Sequence, residues 1–367
     1  MRHLYVHVPF CSRRCSYCDF SIAVRQRVPA RAYVEAVLGE LALAKRDIED
    51  GLRTLYFGGG TPSHLPEEAL EVLVGTLAPA RDQDLEITLE ANPEDVTADV
   101  ARAWRRLGIT RISLGAQSFD DRALAWMHRV HNAAQARQAV TVLRAAGFDN
   151  LSLDLIFALP VELERDWRRD LELALALEPA HLSLYGLTVE PRTPLARWVS
   201  RGASSAPSDE RYAEEYLLAH AILGREGFQF YEVSNAARGT YRSRHNGAYW
   251  SGQPYLGLGP AAHSYDGEIR RWNLSAWEAY RGALSRQERP VQAEERLTPE
   301  LRELERRYLA LRTVEGLPTS AATPSQLSLW ERAGWISVGA DRFCCTPEGW
   351  LRLDALVADL TGRPDVS

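Results

Sequence analysis

Residues 9–20, PFCSRRCSYCDF, hold three of the five cysteines in a chain of 367 residues. Cys11, Cys15 and Cys18 are spaced x3 then x2, on a loop leaving the strand-like run Leu4–Val8. Soft thiolates on one short loop converge on a single iron–sulfur cluster or on a zinc ion. A closed zinc site wants four ligands, usually as two separate pairs. Residues 19 and 20 are Asp and Phe, so a fourth thiol is missing. A cubane held by three cysteines leaves one iron open to an outside ligand.

Outward from this loop, short apolar runs alternate with helical patterns. The runs are Leu4–Val8, Thr54–Phe57, Leu85–Leu89, Arg111–Leu114, Leu151–Ile156 and Leu182–Leu187. Between them, Val34, Val37, Leu38 and Leu41 keep helical spacing, as do Val100, Ala103, Trp104 and Leu107. Six β–α repeats predict a parallel sheet, because parallel strands need crossover connections. Apolar runs such as LSLDLIFAL predict strands buried on both faces, in a partial barrel or an open doubly wound sheet. Periodicity does not separate those two.

After residue 190 the texture changes. GASSAPSDE (202–210) reads as a loop entering a helix from about Glu210 to Glu226. Residues up to about 280 are rich in Gly, Tyr and Trp, and two or three helical patterns and a hairpin follow from about Leu297. We therefore expect a β/α domain over 1–190, an α+β extension over 191–290, and a small helical, winged-helix-like module over 291–367. Adjacent Cys344 and Cys345 point to opposite faces of a strand and are expected to be structural.

Composition narrows the function classes. A hydrophobic content of 46%, a charged content of 25% and a net charge of −6 describe a globular chain without a broad basic surface for nucleic acid. No apolar run reaches the roughly 18 residues of a membrane span, and the first residues lack a signal-peptide core. Five cysteines make a poor disulfide framework, so the expected compartment is the cytoplasm.

Chemistry-bearing residues recur at strand ends, where parallel folds place ligand contacts. YFGGGTPSHL (56–65) follows the second strand, and its glycines permit close backbone approach. Glu90 closes LEITLE, Gln117 closes RISLGAQ, and Asp154 interrupts an apolar strand, where an unpaired carboxylate would be costly.

Together these motifs resemble the radical S-adenosylmethionine (SAM) superfamily. Across residues 4 to about 290 the chain is similar to its oxygen-independent coproporphyrinogen III oxidase-like family. The resemblance implies a partial (β/α)6 TIM-like barrel, with a 4Fe–4S cluster on Cys11, Cys15 and Cys18 and SAM on its open iron. It implies Tyr5, Gly59, Gly60, Thr61, Glu90, Gln117, Arg129 and Asp154 as SAM contacts. In MHRVHN (127–132), Arg129 is then the SAM contact, and His128 and His131 are structural.

Two departures separate the chain from the oxidases. Those usually carry a further cysteine where this chain has Phe20, and an N-terminal extension before the first strand. The chain looks instead like the HemW-type haem chaperones of the same family. The stretch YEVSNAARGTYRSRHNGAYWSGQPYLGLGPAAHS (231–264) carries their HNxxYW element, implying His245, Asn246, Tyr249 and Trp250 as haem contacts. His263 is a further candidate, and Ala261 replaces the usual glycine there. The implied function is binding haem, a 4Fe–4S cluster and SAM and passing haem to an acceptor protein, membrane-associated in some cases, with homodimer contact also implied. The competing class is an enzyme that decarboxylates coproporphyrinogen propionates; a third is a structural zinc module.

Overall fold

The computed structural model describes residues 1–44, 51–79 and 84–362. Six parallel strands run through the first half: β1 (His3–Val8), β2 (Thr54–Gly59), β3 (Glu86–Ala91), β4 (Arg111–Gln117), β5 (Leu151–Phe157) and β6 (His181–Gly186). They lie side by side in chain order, each pair in parallel register. A doubly wound sheet would reverse its strand order at a switch point, and none occurs here. Right-handed crossovers between strands taken in sequence put every helix on one face. Successive helices Ala30–Ala44, Glu67–Leu77, Ala98–Arg106 and Ala133–Ala145 accordingly touch the next along the series. The result is a partial barrel.

Both faces of these strands are buried, as expected, but only the outer one is mainly apolar. Leu4, Val6 and Val8 of β1, Leu55 and Phe57 of β2, Ile87 and Leu89 of β3, and Leu151, Leu153 and Leu155 of β5 join the core under the helices. The alternate residues are polar and point inward: Tyr5 and His7, Tyr56, Thr88 and Glu90, Arg111 and Ser113, Ser152 and Asp154, then Ser183 and Tyr185. The period of two in a pleated strand separates these sets. The barrel interior is thus a buried polar surface rather than the usual packed aliphatic layers.

The later sequence extends the same sheet. Strand β8 (Asn235–Ala237) adds antiparallel to β6 and β7 (Gln229–Glu232) antiparallel to β8, while β9 (Leu256–Leu258) adds parallel to β1. The nine-stranded order is β9-β1-β2-β3-β4-β5-β6-β8-β7, and its two edge strands do not pair with each other. A seam remains between them. The short helix Arg244–Trp250, capped by the Ser243 hydroxyl on the Asn246 amide, fills part of it. A separate three-stranded antiparallel sheet, His263–Tyr265, Ile269–Asn273 and Val291–Arg296, stands beside β9.

The C-terminal part contains helices Pro299–Leu311, Pro324–Arg332 and Leu353–Thr361 with a small three-stranded sheet that includes the hairpin Ile336–Val338 and Arg342–Cys345. Cys345 is buried and Cys344 half-buried, as opposite strand faces require. The last five residues of the expected module, 363–367, lie outside the described residues.

Candidate functional site

The cysteine loop sits at the C-terminal mouth of the barrel. Its base is a two-residue parallel pairing of Phe10–Cys11 with Ala23–Val24. Its middle is fixed by the Ser16 amide donating to the Met127 carbonyl (3.1 Å), and by the Leu195 amide donating to the Ser16 carbonyl (2.8 Å). Cys11, Cys15 and Cys18 all line one pocket of about 390 Å³. The Thr61 hydroxyl donates to Cys11 Sγ (3.3 Å), and the Arg129 guanidinium to Cys15 Sγ (3.5 Å).

Among the described residues, no three His, Cys, Asp or Glu side chains are close enough to share one ion. A mononuclear zinc wants every ligand about 2.0–2.3 Å from a single centre, whereas a multi-iron cluster spreads its thiolates over different irons. The thiols and the neighbouring cation fit the cluster. Burial pushes the Cys18 thiol up to about 11 and raises Cys11 as well. The charge of a bound cluster is what would hold them as thiolates.

The same pocket gathers Gly59, Gly60, Thr61, Glu90, Gln117, Arg129 and Asp154, seven of the eight expected SAM contacts. Glu90 accepts from the Tyr56 hydroxyl (2.8 Å) and the Gly59 amide (3.1 Å). Burial pushes its carboxyl up to about 7, and the nearby Asp154 adds to that. Asp154 accepts from both Ser113 (3.0 and 3.1 Å) and Ser152 (3.3 Å), the partners its place in an apolar strand demanded. Arg129 donates to Asn92 Oδ1 (2.6 Å) and the Gly115 carbonyl (3.0 Å), while its Nε is buried without a partner among the described residues. A guanidinium lining a polar pocket suits an anionic ligand group.

Backbone geometry is specialised here. Gln117 adopts a left-handed φ of 65°, beside a register irregularity between β4 and β5. A Cβ at Gly60 would lie 2.9 Å from the Pro9 backbone, so only glycine lets the cysteine loop pass so close. Such strain concentrates at ligand sites.

Tyr5 is the exception among the eight. Its ring stacks on Tyr56 at 6.0 Å, and its hydroxyl meets His7 Nδ1 (3.1 Å) on the seam side of β1. Sequence reasoning missed Tyr56, Asn92, Arg111, Ser183 and Tyr185, which also line the pocket. Tyr56, Arg111, Ser183 and Tyr185 share the inward parity of Glu90 and Asp154, a signal present in the alternation of each strand.

His131 is structural, bonded to Glu94 (3.1 Å) and the Ala116 carbonyl (3.1 Å); His128 packs against Trp198 and faces the pocket.

The HNxxYW residues divide among three environments. His245 is 1% exposed. Its Nδ1 meets the Thr54 hydroxyl (2.7 Å), its Nε2 meets the Tyr249 hydroxyl (2.8 Å), and its ring stacks on Tyr56 at 4.9 Å. Burial, with help from His3 and Arg111, lowers its pKa to about 3, so it stays neutral. Asn246 reaches the cysteine pocket, whereas Tyr249 and Trp250 face a second, larger cleft of about 1220 Å³ along the seam. Phe20, 60% exposed, borders both cavities. Ala261, also on the cleft, adopts the left-handed φ of 60° that the usual glycine would favour.

The sequence profile of the radical SAM superfamily matches residues 5–174. Among solved structures, coproporphyrinogen III oxidase (HemN) from Escherichia coli, a radical SAM enzyme, is similar in fold with a TM-score of 0.83. At 21% identity it covers 99% of this chain and 90% of its own. Heme chaperone HemW of Mycobacterium tuberculosis is 37% identical over 98% of this chain and 94% of that protein. Its Bacillus subtilis counterpart is 34% identical over 86% of this chain and 85% of that protein. A barrel whose polar lumen opens on three clustered cysteines, matched along nearly its whole length by such relatives, places this chain in the HemW heme chaperone family of the radical SAM superfamily.

Proposed function

We propose that this protein binds haem alongside a 4Fe–4S cluster and SAM, and hands the haem to an acceptor protein. The observation that carries this reading is the pair of adjoining cavities, one holding the three cysteines and the other lined by aromatic rings and arginines. HemW of Mycobacterium tuberculosis, a relative named for haem chaperoning, matches 98% of the chain.

In this reading Cys11, Cys15 and Cys18 hold the cluster. Glu90, Asp154 and Arg129 offer two carboxylates and a cation to the zwitterionic and ribose parts of SAM, and Gly59 and Gly60 admit its backbone-gripped end. When bound, cluster and SAM would supply one-electron chemistry at the barrel mouth. Tyr249 and Trp250 give the cleft apolar faces against which a porphyrin plane can lie. His245 supports that wall from behind through the Tyr249 hydroxyl.

The test is anaerobic reconstitution of the cluster, titration with haem, and incubation of the loaded protein with an apo-haemoprotein. A saturable haem spectrum that moves to the acceptor supports the reading. Conversion of coproporphyrinogen to protoporphyrinogen by the same preparation would make it an enzyme and sink the chaperone assignment.

A further inference from the structure

The seam cleft contains more than the HNxxYW side chains. Its lining comes from both edges of the open sheet: Tyr231 on β7 at one side, and Tyr255, just before β9, at the other. The hairpin His263–Tyr265/Ile269–Asn273 and the helix Pro299–Leu311 complete the walls. A volume of about 1220 Å³ with flat aromatic walls accommodates a large planar ligand.

Two imidazoles line this cleft, and they are not equivalent. His7 is buried, with Nδ1 on the Tyr5 hydroxyl (3.1 Å) and Nε2 on the Ser21 carbonyl (3.0 Å). His263 is exposed, and among the described residues neither of its ring nitrogens has a hydrogen-bond partner. Its ring is nonetheless oriented, stacked on Trp272 with centroids 5.8 Å apart and planes at 22°. That contact follows from the strand register, in which His263 stands opposite Trp272. Partial desolvation of the ring where it lies against the cleft wall, and secondly the charge of Arg270, lower the His263 pKa, leaving a neutral ring with lone-pair capacity. Tyr249, Tyr265 and Tyr231 spend their hydroxyls on His245, the Gly267 carbonyl and His181.

The cations of the cleft also differ in how they are occupied. Arg270 makes a two-pronged pair with Glu305 (3.0 and 2.8 Å), and Arg306 pairs with Glu303. Arg342 donates only to backbone carbonyls, those of Glu315 (2.8 Å) and Gly316 (2.7 Å). Arg302 comes no closer to a carboxylate than 3.9 Å, at Glu268. Arg302 and Arg342 thus lack a close carboxylate among the described residues, as does Arg242 over the Tyr231 ring, and such cations are what a dicarboxylate ligand calls for.

We propose that haem binds in this seam cleft with His263 as its iron ligand and its propionates directed to Arg302 and Arg342. The proposal rests on the haem-binding reading above and puts the iron on the hairpin rather than on His245, whose nitrogens are both engaged inside the barrel. Binding here is simple coordination of a neutral imidazole to iron, with no electron or group transferred.

Ferric haem titrated into the full-length chain tests it, followed by absorbance and with folding checked by circular dichroism. We expect wild type to saturate at one haem per chain. His263→Ala should weaken binding by about tenfold or more and lose the imidazole-ligated spectrum, which added imidazole should restore. Arg302→Gln with Arg342→Gln should weaken haem binding while leaving that of haem dimethyl ester, which lacks the carboxylates, nearly unchanged. A His263→Ala titration matching wild type, with the loss appearing in His245→Ala instead, would overturn the site while leaving haem binding intact. No saturable binding by wild type would overturn the function itself.

Discussion

Glu90 lies between the Tyr56 hydroxyl and the Gly59 amide, and burial pushes its carboxyl up to about 7. A cationic ligand group beside it favours the ionised form, so binding must drive off the proton that the empty site holds near and below pH 7. SAM affinity of the cluster-loaded protein should therefore rise with pH and level off above 7. Well below that value it should fall by up to about tenfold per pH unit. Glu90→Gln should bind more weakly, with a flat profile. Anaerobic calorimetry between pH 6 and 8 checks both, and a wild-type affinity constant across that range would refute the assignment. Glu90 was legible from its place at a strand end. Tyr56 was not, although it supplies one of the hydrogen bonds that tune it; a tyrosine in an apolar run reads as core until the parity of the neighbouring strands is compared.

At the scale of elements, the helix Arg244–Trp250 joins the barrel to the seam. Its first turn hangs on Glu86 of β3, whose carboxylate accepts the Arg244 (3.2 Å) and His245 (3.1 Å) amides. His245 then reaches inward to Thr54 and Tyr56 while Tyr249 and Trp250 turn outward to the cleft. His245→Ala removes a stacked ring and two hydrogen bonds from a buried position. We expect it to cost about 2–3 kcal/mol, read as a lower denaturation midpoint, while haem stoichiometry stays unchanged. Unaltered stability would show that the contacts inside the barrel contribute little. The motif marked this segment as important because His, Asn, Tyr and Trp fall together. It did not reveal which ring faces the cleft, since that depends on β3, which lies more than 150 residues earlier in the chain. The six barrel strands were legible because each is a short apolar run between turns. The polar character of their buried inner face was not, because inward serines, threonines and tyrosines do not break an apolar run as a charge does.

Over the whole molecule, one buried carboxylate ties the first helix to the later sequence. Glu40, on Ala30–Ala44, accepts from the Gly259 amide (2.8 Å), Asn273 Nδ2 (2.6 Å) and the Tyr280 hydroxyl (2.6 Å). Burial outweighs these bonds and raises its pKa to about 7. The folded chain thus keeps a proton that the unfolded chain releases near 4.3. Stability contributed at this site is level below that unfolded value, falls as pH rises to about 7, and is level again beyond. Glu40→Gln should flatten this part of a melting-temperature profile taken from pH 5 to 8; an unchanged slope would place the titration elsewhere. Arg111 Nε, Thr88 Oγ1 and Arg129 Nε, all on the barrel's inner side, are also buried, but without partners among the described residues. Ligands that engage such groups stabilise the folded form by mass action. Were the cluster and SAM to bind as proposed, cofactor supply would become a form of quality control: a chain starved of its ligands would open more often and meet proteases, and its abundance should follow the supply of iron, sulfide and SAM.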